Sequence, residues 1–215
     1  MQTGSTTCKW GGFGGLSALL AFTAPFLVYY YPTLPYGTFW TSILVAIPMA
    51  LVFITAISIF IVSLIGLVFR RFRRNAARVL IAAFVVLAPM FMGLRWSRQL
   101  RMNEFRAFAL RSESLVQHIK EFEQDTGHPP QTLSALVPQY VTEIPSTQMG
   151  AYPNYQYYLA NEGPYDWIGN PWVLFVYAPC FGAFDKFLFL PNHNYPDVGF
   201  GGPIERVEDW AYVHE

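Results

Sequence analysis

The stretch that decides the architecture is Phe39–Phe69, FWTSILVAIPMALVFITAISIFIVSLIGLVF. It is overwhelmingly apolar and holds no Asp, Glu, Lys, Arg or His. A bilayer core of about 30 Å is crossed by about 20 apolar residues in a helix. This run is longer than that, so it must tilt or continue past the interface. Its apolar character extends upstream, because no ionisable side chain of these types occurs from Trp10 to Phe69. Working outward, Phe13–Tyr31 supplies a second apolar segment and Ala76–Leu94 a third. The sequence therefore predicts three helical spans, at about 13–31, 39–63 (the helix reaching 69) and 76–94. Residues 1–94 form a membrane region and 95–215 a water-facing domain. Arg78 lies close enough to the end of the third span to snorkel.

Composition supports the division. The chain has 215 residues, 53% hydrophobic and only 13% charged, against roughly 25% charged in ordinary soluble domains. Its zero net charge conceals a split. Residues 1–94 carry six cations and no acid; residues 95–215 carry eight cations against fourteen acids, a net −6. An acidic soluble part does not suit a phosphate backbone, so nucleic acid is not an expected partner.

The first segment does not read as a cleaved signal. One basic residue precedes it, the apolar run is overlong, and Tyr29, Tyr30, Tyr31 and Pro32 stand where small residues would be needed. Cys8 after Ser5-Thr6-Thr7 does not suit a lipoprotein signal. Short loops set the orientation. The loop Pro32–Thr38 is uncharged, whereas Arg70, Arg71, Arg73, Arg74 and Arg78 crowd the next connection. That places the N-terminus and the arginines in the cytoplasm and the C-terminal domain outside the inner (cytoplasmic) membrane. Arg95, Arg98, Arg101, Arg106 and Arg111 weigh against this orientation.

Pro25, Pro48 and Pro89 fall one in each span, where neighbours must satisfy the freed carbonyls. Ser42, Ala46 and Ala50 share a helix face and permit close packing. Ion or proton conduction needs ionisable groups at depth, and spans one and two contain none, so these helices read as an anchor.

In the soluble part, Phe105, Phe108, Ser112, Leu115, Ile119 and Phe122 recur by threes and fours, predicting an amphipathic helix over 97–124. No Gly or Pro separates it from the third span, so the two are expected to be continuous. Gly127 ends it and Pro129-Pro130 forbids its return. A short helical turn is expected over Thr132–Val137. Four runs rich in aromatic and β-branched residues then read as antiparallel strands: Tyr155–Ala160, Trp172–Tyr177, Asp185–Leu190 and Glu208–His214. The fold class is thus an α-helical transmembrane region plus an α+β domain, a long helix packed on a small antiparallel sheet.

The residues Ile119-Lys120-Glu121-Phe122, Gly127-His128-Pro129-Pro130-Gln131-Thr132-Leu133, Leu136-Val137-Pro138-Gln139-Tyr140-Val141, Ile144-Pro145 and Tyr155-Gln156-Tyr157 resemble the globular part of type II secretion pseudopilins. Those run from a long helix into G-x-Y-P-x-x-L-x-x-L, then P-x-Y-h-x-x-I-P with h apolar, then a small sheet. Pro129 stands where the family has tyrosine. The match covers about residues 104–160, with a looser echo at Trp210-Ala211-Tyr212-Val213. The resemblance implies a pilin-like fold and an extracytoplasmic domain. It does not imply filament assembly: the family's basic leader, cleavage glycine and intramembrane glutamate are not found here. Nor can its calcium site be carried over, because Asp185, Asp197, Glu205, Glu208 and Asp209 match no calcium-loop spacing.

No catalytic motif emerges. Gly11-Gly12-Phe13-Gly14-Gly15 follows no strand, so it reads as a flexible entry to the membrane. His118, His128, His193 and His214 form no His-x-x-x-His pair, and neither a metal nor a cofactor is expected. Cys8 and Cys180 are expected on opposite sides of the membrane, with Cys180 a small buried thiol. Trp167, Trp172, Tyr157, Tyr158 and Tyr165 either fill the core or stack on a glycan. Trp167, Trp172, His193, Tyr195 and Asp197 are the candidate interaction surface, three of them on the loop Asn192–Asp197. The expectation is a non-enzymatic multi-pass membrane protein that presents its domain to an envelope protein or polymer. The alternative is an accessory subunit of a secretion or transport complex. The expected partners are the lipid bilayer and an envelope or membrane protein.

Overall fold

The computed structural model describes residues 9–160, 162–163, 168–180, 184–199 and 202–214. Helix α1 (Lys9–Pro25) passes into a π-helical turn, Phe26–Tyr30, and a 3₁₀ turn, Tyr31–Thr33. Pro25 lacks the N–H that a regular helix would use, and the register widens just after it, with the Tyr31 N–H reaching back to the Phe26 carbonyl. Helix α2 is Phe39–Gly66 and α3 is Arg73–Thr126, 54 residues that include Pro89. Among the described residues two helices, α2 and α3, are thus long and apolar enough to cross a membrane. The expected first span is instead a 17-residue α-helix continued by the two tighter and wider turns. The expected helix 97–124 is the second half of α3, with no break from the third apolar segment.

The chain divides into two compact units. The first comprises Met1–Tyr31 and Phe39–Leu100; the second comprises Pro32–Thr38 and Arg101–Glu215. In the first unit Val28, Ala46, Met49 and Met90 form a small core. Ser42 and Ala46 are buried and the Ser42 hydroxyl points at the Leu27 carbonyl, 3.5 Å away, so the small-residue face is used within the chain. Most large side chains of α2 point outward: Leu44 is 73% exposed and Val62 67%.

The second unit inverts that arrangement. Phe105, Phe108, Leu115 and Ile119 of α3 are fully buried against a sheet. Gly127, at φ +77°, closes α3 in the left-handed conformation that glycine adopts without a Cβ clash. A 3₁₀ turn at Leu133–Leu136 folds Leu136 back into the core. The antiparallel strands are β1 (Gln156–Leu159), β2 (Trp172–Tyr177), β3 (Lys186–Phe189), β4 (Val198–Gly199), β5 (Gly202–Val207) and β6 (Trp210–Val213). Their order is β1-β2-β3-β6-β5-β4, so the two-residue β4 only extends a five-stranded sheet. Val198 and Gly199 pair with Pro203 and Gly202 to form this edge.

Alternate residues of β2 face opposite ways. Trp172, Leu174 and Val176 join the helix-side core, whereas Val173 and Phe175 join a smaller cluster with Leu188, Leu190 and Val213. Both faces are covered, which is why β2 reads as one continuous apolar run.

Candidate functional site

The loop after β3 carries three of the five candidate residues, and asparagines hold it. The Asn192 N–H donates to Asn170 Oδ1 at 3.1 Å, the Asn170 amide to Asn194 Oδ1 at 2.9 Å, and the Asn194 amide to the Ile168 carbonyl at 2.8 Å. The Tyr195 hydroxyl accepts from the Leu190 N–H at 2.8 Å and donates to the Asp209 carbonyl at 2.7 Å. Arg206 lies 3.9 Å over the Tyr195 ring. Tyr195 is therefore a half-buried pin rather than an open stacking surface. Its burial pushes the hydroxyl pKa well above the usual tyrosine value. His193, at φ +52°, projects from the loop, its ring edge-on to Phe189 at 5.5 Å and its Nδ1 4.0 Å from Asp209. Asp197 is exposed.

Trp172 does not belong to this surface. It is fully buried, stacked on Phe189 at 5.7 Å, with Nε1 donating to Glu123 at 3.1 Å. A small aromatic-rich sheet takes its core volume from such residues, and a strand covered on both faces leaves no tryptophan for a ligand. Trp167 and Tyr165 lie outside the described residues. Tyr157 donates to the Pro130 carbonyl at 2.9 Å and Tyr158 stacks on Phe175 at 5.7 Å, so both are committed to the fold.

Beside His193 a groove of about 250 Å³ runs between α3 and the sheet. Its floor includes Phe189 and Trp210 and its walls Leu110, Glu113, Gln117, Lys120, Glu208 and Asp209. Lys120 sits 5.5 Å over the Phe189 ring, and Arg106 pairs with Glu208 at 3.0 Å. With Glu208 taken by Arg106, Glu113 and Asp209 face Lys120 over an aromatic floor, a lining that offers hydrogen-bonding groups of both signs. These wall residues were not among the candidates. Their signal is a polar stripe at 113, 117 and 120, at helical spacing beside the apolar one. Among the described residues no group of three or more His, Cys, Asp or Glu side chains converges to hold a metal ion.

The domain also encloses Arg101, which is 1% exposed. It donates to the Tyr152 hydroxyl at 2.8 Å, the Ala178 carbonyl at 2.7 Å and the Tyr212 hydroxyl at 3.1 Å, and lies 5.0 Å over Phe105. Tyr212 in turn donates to Asp185 at 2.5 Å. Burial opposes the Arg101 charge, but the surrounding tyrosines and Cys180 outweigh it and hold its pKa above the usual range. Cys180 is a buried free thiol, pushed up by burial and only partly drawn down by Arg101. That disfavours the thiolate a nucleophile needs.

At a different place in the same unit, the loop Pro32–Thr38 is strapped to the domain. The Gly150 N–H donates to the Leu34 carbonyl at 2.9 Å and the Ala151 N–H to the Pro32 carbonyl at 3.3 Å. A Cβ on Gly150 would lie 2.4 Å from the Gly37 carbonyl oxygen and 2.6 Å from that of Pro35, so only glycine fits.

No protein-family profile, no curated protein and no solved structure matches the chain.

Proposed function

We propose that the chain is a multi-pass inner-membrane protein that displays a pseudopilin-like domain on the extracytoplasmic side, where its groove engages a protein or envelope polymer. The role is binding rather than turnover. The observation that carries this reading is the strap. Pro32–Thr38 precedes α2, the domain follows the apolar part of α3, and the two are hydrogen-bonded in one compact unit. This supports a reading in which both lie on one side, with α2 and α3 crossing the membrane and returning through the arginine-rich connection. The outward-facing apolar side chains of α2 support the crossing, since such a surface is costly in water. Two of the five cations that weighed against this orientation lose force. Arg101 is consumed inside the domain and Arg106 pairs with Glu208. The pseudopilin-like assignment is supported by the long helix packed on an antiparallel sheet and by the Gly127 turn.

The test is protease treatment of intact spheroplasts, together with alkaline carbonate extraction. The expected result is a protein that resists carbonate and loses its domain to external protease. A domain protected until lysis would overturn the sidedness, and extraction by carbonate would overturn the anchor.

A further inference from the structure

The first compact unit, Met1–Tyr31 with Phe39–Leu100, contains eight Lys and Arg residues and no Asp or Glu. Five of the cations, Arg70, Arg71, Arg73, Arg74 and Arg78, fall within nine residues around the α2–α3 turn, and all five are exposed. Among the described residues none of them is paired with a carboxylate. The first acidic residue in the sequence is Glu104, already in the other unit.

The placement is unfavourable for the chain alone. Arg74 and Arg78 are four apart on α3 and so are neighbours of like charge. Arg73 and Arg74 open the helix, where cations oppose its dipole, and the first turn holds no acid. Charge of this density calls for an anion from outside. The local sequence, FRRFRR at 69–74, alternates single aromatics with guanidinium pairs. The turn is closed by Phe69 N–H to Gly66 carbonyl at 3.3 Å and Phe72 N–H to Phe69 carbonyl at 3.0 Å. It leaves Phe69 57% and Phe72 56% exposed. Aromatic rings favour the boundary between acyl chains and headgroups, and guanidinium forks match phosphate oxygens in pairs.

We propose that Phe69–Arg78 is a binding site for anionic phospholipid headgroups. The arginines hold lipid phosphates of the facing leaflet while Phe69 and Phe72 enter beneath them. The proposal rests on the membrane-embedded reading and names the lipid class that this turn recruits.

Native mass spectrometry of the full-length protein tests it, with phosphatidylglycerol and phosphatidylcholine as competing probes. The wild type is expected to retain phosphatidylglycerol in preference, and the preference should weaken as salt rises. In R70Q/R71Q/R73Q/R74Q it should fall by about tenfold or more. The corresponding lysine variant, which keeps charge without the fork, should fall between. An unchanged preference in the glutamine variant would overturn the proposal. So would a salt-independent wild type, a readout that needs no variant to fold. Displacement of the lipid by inorganic phosphate would overturn it in favour of a free-anion site. Carbonate extraction of the wild type from membranes would instead remove the membrane reading itself, so the two failures are distinguishable.

Discussion

Helix α3 obeys opposite rules along its length. Before Leu100, Ile81 is 63% exposed, Phe84 61% and Phe91 53%; after Arg101, Phe105, Phe108, Leu115 and Ile119 are all fully buried. The charged residues follow suit, because every acid of the chain lies on the second side of that boundary. On the proposed membrane reading, a single helix that turns its apolar residues outward and then inward is a helix that changes solvent. Burial stabilises by removing apolar area from water. If the first unit lies in lipid, as proposed, there is nothing to remove there, and packing falls to small residues and close contacts such as Ser42 and Ala46.

Paired truncations on this one helix probe that difference most strongly. Phe108 touches Phe187 at 5.8 Å, Trp210 at 5.2 Å and Tyr155 at 5.6 Å. Phe108→Ala should destabilise the domain by about 3–5 kcal/mol, read from thermal melting of the full-length protein by tryptophan fluorescence. Phe84→Ala should leave the same transition where it is. Equal effects would erase the distinction between the two halves.

Arg101→Ala is expected to cost about as much, some 3–5 kcal/mol, because it removes the buried donor shared by the Ala178 carbonyl and the Tyr152 and Tyr212 hydroxyls. Denaturant titration of the purified protein measures it. A loss near zero would mean that Arg101 behaves like the exposed arginines of the first unit. Gly150→Val should cost less, about 1–3 kcal/mol. Its distinguishing effect is to release the loop Pro32–Thr38, seen as faster limited proteolysis there while the domain stays folded.

In ordinary buffers the smallest effect is that of pH. Burial raises the pKa of Cys180 above its usual 9.0 and those of Tyr152, Tyr155, Tyr157, Tyr195 and Tyr212 above their usual 10.0. A folded-state pKa above the unfolded one means the neutral form is favoured by folding. The stabilisation is therefore complete below the unfolded values and is lost as pH rises past them. Melting of the domain should be insensitive to these groups near neutrality and should fall progressively above about pH 9 to 10. Domain stability that rises in that alkaline range would contradict the burial of these groups.

The sequence revealed much of this and hid the rest for definite reasons. The stripe from Phe105 to Phe122 and the apolar run of β2 were legible because each expresses one local period. The π turn after Pro25 was not, since a proline announces an interruption without specifying its form. Arg101 read as one more juxtamembrane cation because its partners lie 51, 77 and 111 residues away. Trp172 read as either core or candidate interaction surface for a related reason: whether a strand is covered on both faces depends on topology. The Asn192–Asp197 loop was recognised, but the groove beside it was not. Glu113, Gln117 and Lys120 gain meaning only when Glu208 and Asp209 arrive from the β5–β6 turn. The loop Pro32–Thr38 carried no charge and gave no sign that it docks on the domain.

The central claim is that this loop and the domain share one side of a membrane while the arginine turn lies on the other. Single cysteines at Tyr36, Asn75 and Gln131, in a Cys8→Ser background where Cys180 remains buried, test it with a membrane-impermeant maleimide on intact spheroplasts. Tyr36→Cys and Gln131→Cys should label from outside, and Asn75→Cys only after permeabilisation. External labelling of Asn75→Cys, or opposite sidedness for Tyr36→Cys and Gln131→Cys, would contradict the account.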